Sequence, residues 1–169
     1  NLFAASLTGA IFTGAQVQGA QLTGITPAQL YSTASYQAHD LSGIKIAGDQ
    51  AGWDFASQNL TGAGLGATLT GANFTGAEVR GAGLGSSGFT AAQLYSTASY
   101  QAKNLYGIGL SVNDLAGWDL SGQNLNDAVC TNATFNGTQL NGATSAGALF
   151  SRNTSRGLTP QQFYATASY

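Results

Sequence analysis

The sequence predicts an all-β solenoid, interrupted by a short helical segment once per long unit, the step that carries Leu30 to Leu94. Three observations carry this. Large apolar residues return every five positions, at Leu2, Leu7, Phe12, Val17 and Leu22 and again at Leu105, Leu110, Leu115, Leu120 and Leu125. Neither the 3.6-residue period of a helix nor the 2.0 period of a strand yields such a run, so a coiled repeat is required. A longer segment, Thr26 to Ala38, returns as Thr90 to Ala102 with one change, Pro27 to Ala91, and again from Thr159 to Tyr169. Charge is scarce: Asp, Glu, Lys and Arg make up 7% of the chain, against about 25% in an ordinary soluble domain.

The first full unit offers ten bulky positions, Leu41, Ile46, Ala51, Phe55, Leu60, Leu65, Leu69, Phe74, Val79 and Leu84, with single-residue deletions near Ala51 and before Leu69. Each deletion predicts a local kink. The second unit offers ten as well, from Leu105 through Cys130 and Phe135 to Phe150. Phe74, Leu125, Phe135 and Leu140 are expected inside, and Asn73, Glu78 and Arg80 outside, with parallel bridges about 4.8 Å apart between coils. Gly following Thr or Ser suits corners that must turn at every face.

Between the tracts lie the segments near 26–38, 90–102 and 159–169. Thr26, Thr90 and Thr159 each stand three positions before a Gln, namely Gln29, Gln93 and Gln162. That is capping-box spacing, in which side chains and backbone satisfy each other's free donors at a helix start. Pro27 and Pro160 then occupy the first helical position, where proline forfeits no hydrogen bond. The pattern predicts helices over 27–37 and 91–101, with Leu30, Ala34 and Ala38 forming an apolar stripe toward the solenoid. Leu30 returns as Leu94 and then as Phe163 at nearly constant steps, so the helices are expected to align on one side of a stack.

The copies Ala72-Asn73-Phe74-Thr75-Gly76 and Ala133-Thr134-Phe135-Asn136-Gly137 follow an A-(D/N)-L-x-x pattern, and in this the chain resembles the pentapeptide-repeat family. The resemblance implies a right-handed quadrilateral β-helix over residues 1–169, with four pentapeptides per coil and the bulky residue and the Ala two before it pointing inward. Ile108, Asn113, Trp118 and Gln123 stand where that family prefers small residues, which predicts a departure from the square section around Gly52-Trp53-Asp54 and Gly117-Trp118-Asp119. The long units also resemble large secreted bacterial repeat proteins. That likeness implies an extracellular or cell-surface location.

Catalysis has little to work with. His39 is the only imidazole, its counterpart in the next unit is Lys103, and no triad motif surrounds it. The lone Cys130 occupies a core slot and reads as a buried, inert thiol. Asp49, Asp54, Asp114 and Asp119 fit no calcium loop, so no metal and no cofactor is expected. Five Asn-x-Ser/Thr sequences arise from the repeat grammar itself. Lys45, Arg80, Lys103, Arg152 and Arg156 are scattered and the net charge is −2, which excludes a phosphate-neutralising nucleic-acid surface. No apolar run is long enough to span a membrane. The chain starts and stops inside repeats and is expected to be a piece of a longer array.

The strongest site signal is the tyrosine-rich segment. It changes at a single position between units, whereas His39–Ala47 against Lys103–Ser111 changes at most positions. Packing of Leu30 and Tyr31 against the solenoid accounts for such a constraint; the functional alternative makes Tyr36, Tyr100 and Tyr169 the candidate interaction residues, on an outer ridge available to a neighbouring chain. The reading is a non-catalytic structural or interaction scaffold, an extracellular rod or fibre segment that self-associates or binds another extracellular protein. The alternative, implied by the family resemblance, is a binding module that mimics DNA on a topoisomerase.

Overall fold

A computed structural model describes residues 7–168. Each pentapeptide contributes one side of a coil. Leu115 accepts from the N–H of Trp118 at 3.0 Å, and Gly117 between them has φ of 71°. A positive φ at the third position is the demand of a type II turn, and glycine meets it without a Cβ clash. The same corner bond recurs along most of the tract, from Ala10 N to Leu7 O through to Ala148 N to Ser145 O.

Parallel bridges then join one coil to the next. Asp114 pairs with Thr134 and Asp119 with Gln139, each four pentapeptides on, while Asp54 pairs with Asn73 and Asn59 with Glu78, one position short of that step. Four pentapeptide sides per turn give these pairings, so the coil is four-sided. Strands long enough to name are β1 (Gln21–Thr23), β2 (Lys45–Ala47) and β3 (Gly64–Leu65), in the parallel order β1-β2-β3.

The interior holds the bulky residue and the one two before it. Phe74, Leu125, Phe135 and Leu140 are buried, as are Ala72, Ala77, Ala133 and Ala143. Asn73 and Arg80 face outward as expected, but Glu78 is half-buried, its carboxylate accepting from Ser99 Oγ at 2.9 Å and pairing with Arg80 at 3.3 Å. One slot assignment is corrected. Gln50, not Ala51, takes the inward position, and Ala51 is exposed. The two shortened sides therefore run from Ile46 to Gln50 and from Leu65 to Leu69, one coil above the other, so the deletions stack in register rather than interrupting the ladder.

The helical segments also differ from expectation. Each is a pair of helices: α1 (Pro27–Tyr31) and α2 (Ala34–Gln37), then α3 (Ala91–Tyr95) and α4 (Ala98–Gln101), with α5 (Pro160–Tyr164) in the last copy. Thr33 and Thr97 break the run by adopting extended backbone, φ −71° and −74°, and capping the second helix. Each accepts from a tyrosine N–H at 3.1 Å and donates to a leucine carbonyl at 2.7 Å. A threonine hydroxyl that satisfies both helix ends stabilises the break. The apolar stripe of Leu30, Ala34 and Ala38 is consequently not formed: Leu30 is buried, while Ala38 is exposed.

A coil that carries a helix pair is longer. Gln21 pairs with Lys45 and Gly83 with Gly109, both steps exceeding four pentapeptides. The coil that follows holds the large residues Ile44, Trp53 and Gln58, or Ile108, Asn113, Trp118 and Gln123, all buried. These fill the width left by the helix pair, so the four-sided section persists through the Gly-Trp-Asp segments instead of opening there.

Candidate functional site

The helix pairs are tied to the coils on both sides by a repeated set of polar contacts. On the N-terminal side, Gln93 Oε1 accepts from Thr90 N at 2.9 Å, and Thr90 Oγ1 accepts from Gln93 N at 3.3 Å, completing the capping box. Gln93 Nε2 also donates to the carbonyls of Leu69, at 2.7 Å, and Ala72, at 2.9 Å, in the preceding coil. Gln29 and Gln162 repeat the arrangement, donating to Leu7 and Ala10 and to Phe135 and Thr138. Farther along, Ser35 and Ser99 each accept a coil N–H, from Val17 and Val79, at 2.8 Å. Ser168 accepts from Ser145 N at 2.7 Å.

On the C-terminal side the tyrosines act in pairs. Tyr31 and Tyr36 have ring centroids 4.6 Å apart, and so do Tyr95 and Tyr100. Tyr31 Oη accepts from Asp54 N at 2.7 Å, and Tyr36 Oη donates to Asp54 O at 3.1 Å. The second copy is tighter: Tyr95 Oη accepts from Asp119 N at 2.6 Å, and Tyr100 Oη donates to Asp119 O at 2.8 Å. Two phenols thus grip both polar groups of one backbone residue and stand in for the bridge that a coil would have made there. Gln58 and Gln123 complete the join, their Nε2 donating to the carbonyls of Tyr36 and Tyr100.

This placement revises the expected outer ridge. Tyr36 and Tyr100 are half-buried against the core, and their hydroxyls face the next coil of the same chain. Tyr169 lies outside the described residues. Burial, reinforced by the Asp54 carboxylate and by Tyr31, pushes the Tyr36 phenol up to about 12. Burial raises Tyr100 as well. Recurrence of the Gly-Trp-Asp triplet at nearly the step of the tyrosines, 65 residues against 64, is the signal that links them, since a clamp and its target must repeat together.

The outward Asp and Asn slot has a local task. Asp54 Oδ1 accepts from Ala56 N at 3.0 Å and Asp119 Oδ1 from Ser121 N at 2.9 Å. Such Asx turns are the physical reason these residues precede the bulky one. The Ser121 backbone contact holds the Asp119 carboxyl below the usual carboxylate range. Asp54 stacks on Asn73, and the coil bearing α3 and α4 separates that coil from Asp119, so the two carboxylates share no site. Among the described residues no group of three or more His, Cys, Asp or Glu side chains is placed to hold a metal ion.

His39 is exposed at a positive φ of 56°, as is Lys103 at 58° in the next unit. Cys130 is fully buried, and burial pushes its thiol up to about 12, which removes its nucleophilic form at neutral pH.

Among families of known proteins, the pentapeptide repeats match in eight copies over residues 1–26 and 114–144. No curated protein matches the chain. Similar solved structures include a pentapeptide repeat protein of the Arabidopsis thaliana thylakoid lumen, 21% identical over 79% of this chain with a TM-score of 0.24. HetL of the cyanobacterium Nostoc, involved in heterocyst differentiation regulation, is 22% identical over 77% with a TM-score of 0.22. QnrB1, a plasmid-mediated fluoroquinolone resistance protein, is 18% identical over 81% with a TM-score of 0.23. The chain spans 63%, 48% and 75% of their respective lengths. Over residues 1–26 and 114–144 the chain carries pentapeptide repeats, eight copies in all, and the same corner is carried from coil to coil between them.

Proposed function

We propose that the chain is a length of right-handed, four-sided rod that serves as a non-catalytic scaffold, working outside the cell through self-association or by holding another extracellular protein. One observation carries this reading. The side chains that recur between units, the capping glutamines, the serines and the paired tyrosines, are engaged in joining coil to coil. Repetition of that kind serves the length and stiffness of a rod. Parallel strands left unpaired at a coil's ends favour extension along the same axis.

The alternative, a DNA mimic acting on a topoisomerase, requires dense rows of carboxylate on one face. Seven Asp and Glu residues in 169 supply few, and the column Asp40, Asn59, Glu78 places a neutral amide between its two acids. The readings separate by measurement. Light scattering and negative-stain imaging of the purified chain should give rods that lengthen with concentration. A monodisperse particle that blocks DNA supercoiling by a topoisomerase would replace the scaffold with the mimic.

A further inference from the structure

Two Asn-Gly pairs occupy successive corners of the second tract, Asn136-Gly137 and Asn141-Gly142. In such a pair the backbone nitrogen reaches the side-chain carbonyl carbon easily, because glycine sets no Cβ in the way. The two corners match closely. Gly137 and Gly142 have φ of 68° and 67°, both asparagines are exposed, and their main-chain carbonyls accept from Gly117 N and Gly122 N at 2.9 Å. They differ at the glycine N–H. Gly142 donates to Ala165 O at 2.8 Å, whereas the Gly137 N–H meets no acceptor among the described residues. The cause is the path of the coil above Asn136, which leaves the pentapeptide cadence through the short helical turn Thr154–Arg156 and Gly157, at φ of 91°, before entering α5. The Asn136 amide reaches into the space this leaves: a Cβ at Gly157 would collide with Asn136 Oδ1.

We propose that Asn136-Gly137 is a site of spontaneous deamidation, selected over Asn141-Gly142 by its unpaired N–H, and that the isoaspartate it forms unseats α5. The Gly137 nitrogen, on losing its proton, attacks Asn136 Cγ. A bond forms between that nitrogen and Cγ, the bond from Cγ to the side-chain nitrogen breaks, and the side-chain nitrogen leaves as ammonia after taking up the proton. Water then opens the cyclic imide. Cleavage at Cγ yields Asp, and cleavage at the main-chain carbonyl yields isoaspartate, whose backbone runs through Cβ and Cγ. Water is the only other reactant. At Gly142 the same attack must wait for the bond to Ala165 O to open.

The damage falls on a corner that anchors a helix. Gln162 Nε2 spans it, donating to Phe135 O at 2.9 Å and Thr138 O at 2.8 Å, while Thr138 N closes it on Phe135 O at 3.1 Å. One more backbone carbon between residues 136 and 137 widens the turn, so a single amide group no longer meets both carbonyls. Gln162 also completes the capping box of α5 with Thr159. Its release therefore loosens the helix together with its seat. Conversion to Asp leaves the backbone path unchanged and spares both. None of this depends on whether the chain assembles into rods.

The test incubates the intact chain in mildly alkaline buffer and follows it by peptide mapping with electron-transfer fragmentation, which reads the two sites separately and tells Asp from isoaspartate. Asn136 should convert about two- to tenfold faster than Asn141, the population factor for opening one hydrogen bond. In denaturant, where neither N–H is held, the two rates should converge. Equal rates in the folded chain, faster conversion of Asn141, or a ratio that persists in denaturant overturns the selection. Hydrogen exchange over residues 159–166 should quicken at least about threefold in the isoaspartate form and stay as in the parent for Asn136→Asp. Unchanged exchange in the isoaspartate form overturns the unseating of α5. So does equal quickening by Asn136→Asp, because charge rather than the added carbon would then be the cause.

Discussion

Gln93→Glu separates two accounts of the same residue. By its spacing from Thr90 the position is the last of a capping box, where glutamate serves as well as glutamine, and its charge near a helix start is favourable by about 0.3–1 kcal/mol. On local grounds the variant should be neutral or slightly stabilised. In the folded chain, however, Gln93 Nε2 donates to Leu69 O at 2.7 Å and Ala72 O at 2.9 Å. A carboxylate has no proton to give and sets its oxygens against two carbonyls. Two hydrogen bonds are lost at about 0.5–1.5 kcal/mol each, and the favourable helix-end charge returns only part of this. The net expectation is a loss of about 1–2.5 kcal/mol at neutral pH. For a chain of this size that lowers the thermal midpoint by roughly 2–10 °C. Urea unfolding followed by circular dichroism reads the difference directly. At about pH 3 a protonated carboxyl donates again, so the deficit relative to the parent chain should shrink there. A variant as stable as the parent at pH 7 would show that the contact to the preceding coil contributes nothing, and would refute the account of how helices are seated on the solenoid.

Three further outcomes follow from the same packing. Phe135→Ala, at a fully buried position, should cost about 3–5 kcal/mol in denaturant titration, and a loss under about 1 kcal/mol would mean that the tube is loosely filled. The unfolded chain releases tyrosine protons near pH 10, whereas the folded chain holds that of Tyr36 to about 12. Its contribution is thus complete below about pH 10 and is lost as pH rises toward 12; Tyr36→Phe should flatten alkaline unfolding over that window, and an unchanged profile would count against the clamp. Val112 is a β-branched residue held at φ of 66°, a conformation that costs about 1–2 kcal/mol for L-residues. Val112→Gly should therefore stabilise the chain by about 0.5–1 kcal/mol after allowance for glycine's freer unfolded state, as read from the midpoint of thermal unfolding.

The pentapeptide cadence determined the solenoid, its inward residues and the location of its helical segments, because a narrow tube admits one large and one small side chain per side and leaves that filter in the sequence. The capping threonines and prolines were legible for a related reason: a helix start is satisfied by residues three apart. What the cadence could not settle was the choice of Gln50 over Ala51 as the inward residue. Two deletions in adjacent coils fix that choice only when they are seen to stack. The break at Thr33 was signalled locally by a second capping threonine, but it competes with continuous helix, and the buried seat of Leu30 with the clamp beyond it decides between them. The tyrosines show the limit most clearly. Their recurrence marked them as constrained, and with no view of Asp54 and Asp119 that constraint fitted packing against the solenoid and an interface with another chain alike. Only the tertiary structure places Tyr31 beside Asp54 and Tyr95 beside Asp119 within hydrogen-bond reach, because the coil's pitch, not the spacing along the chain, determines which backbone groups the phenols meet.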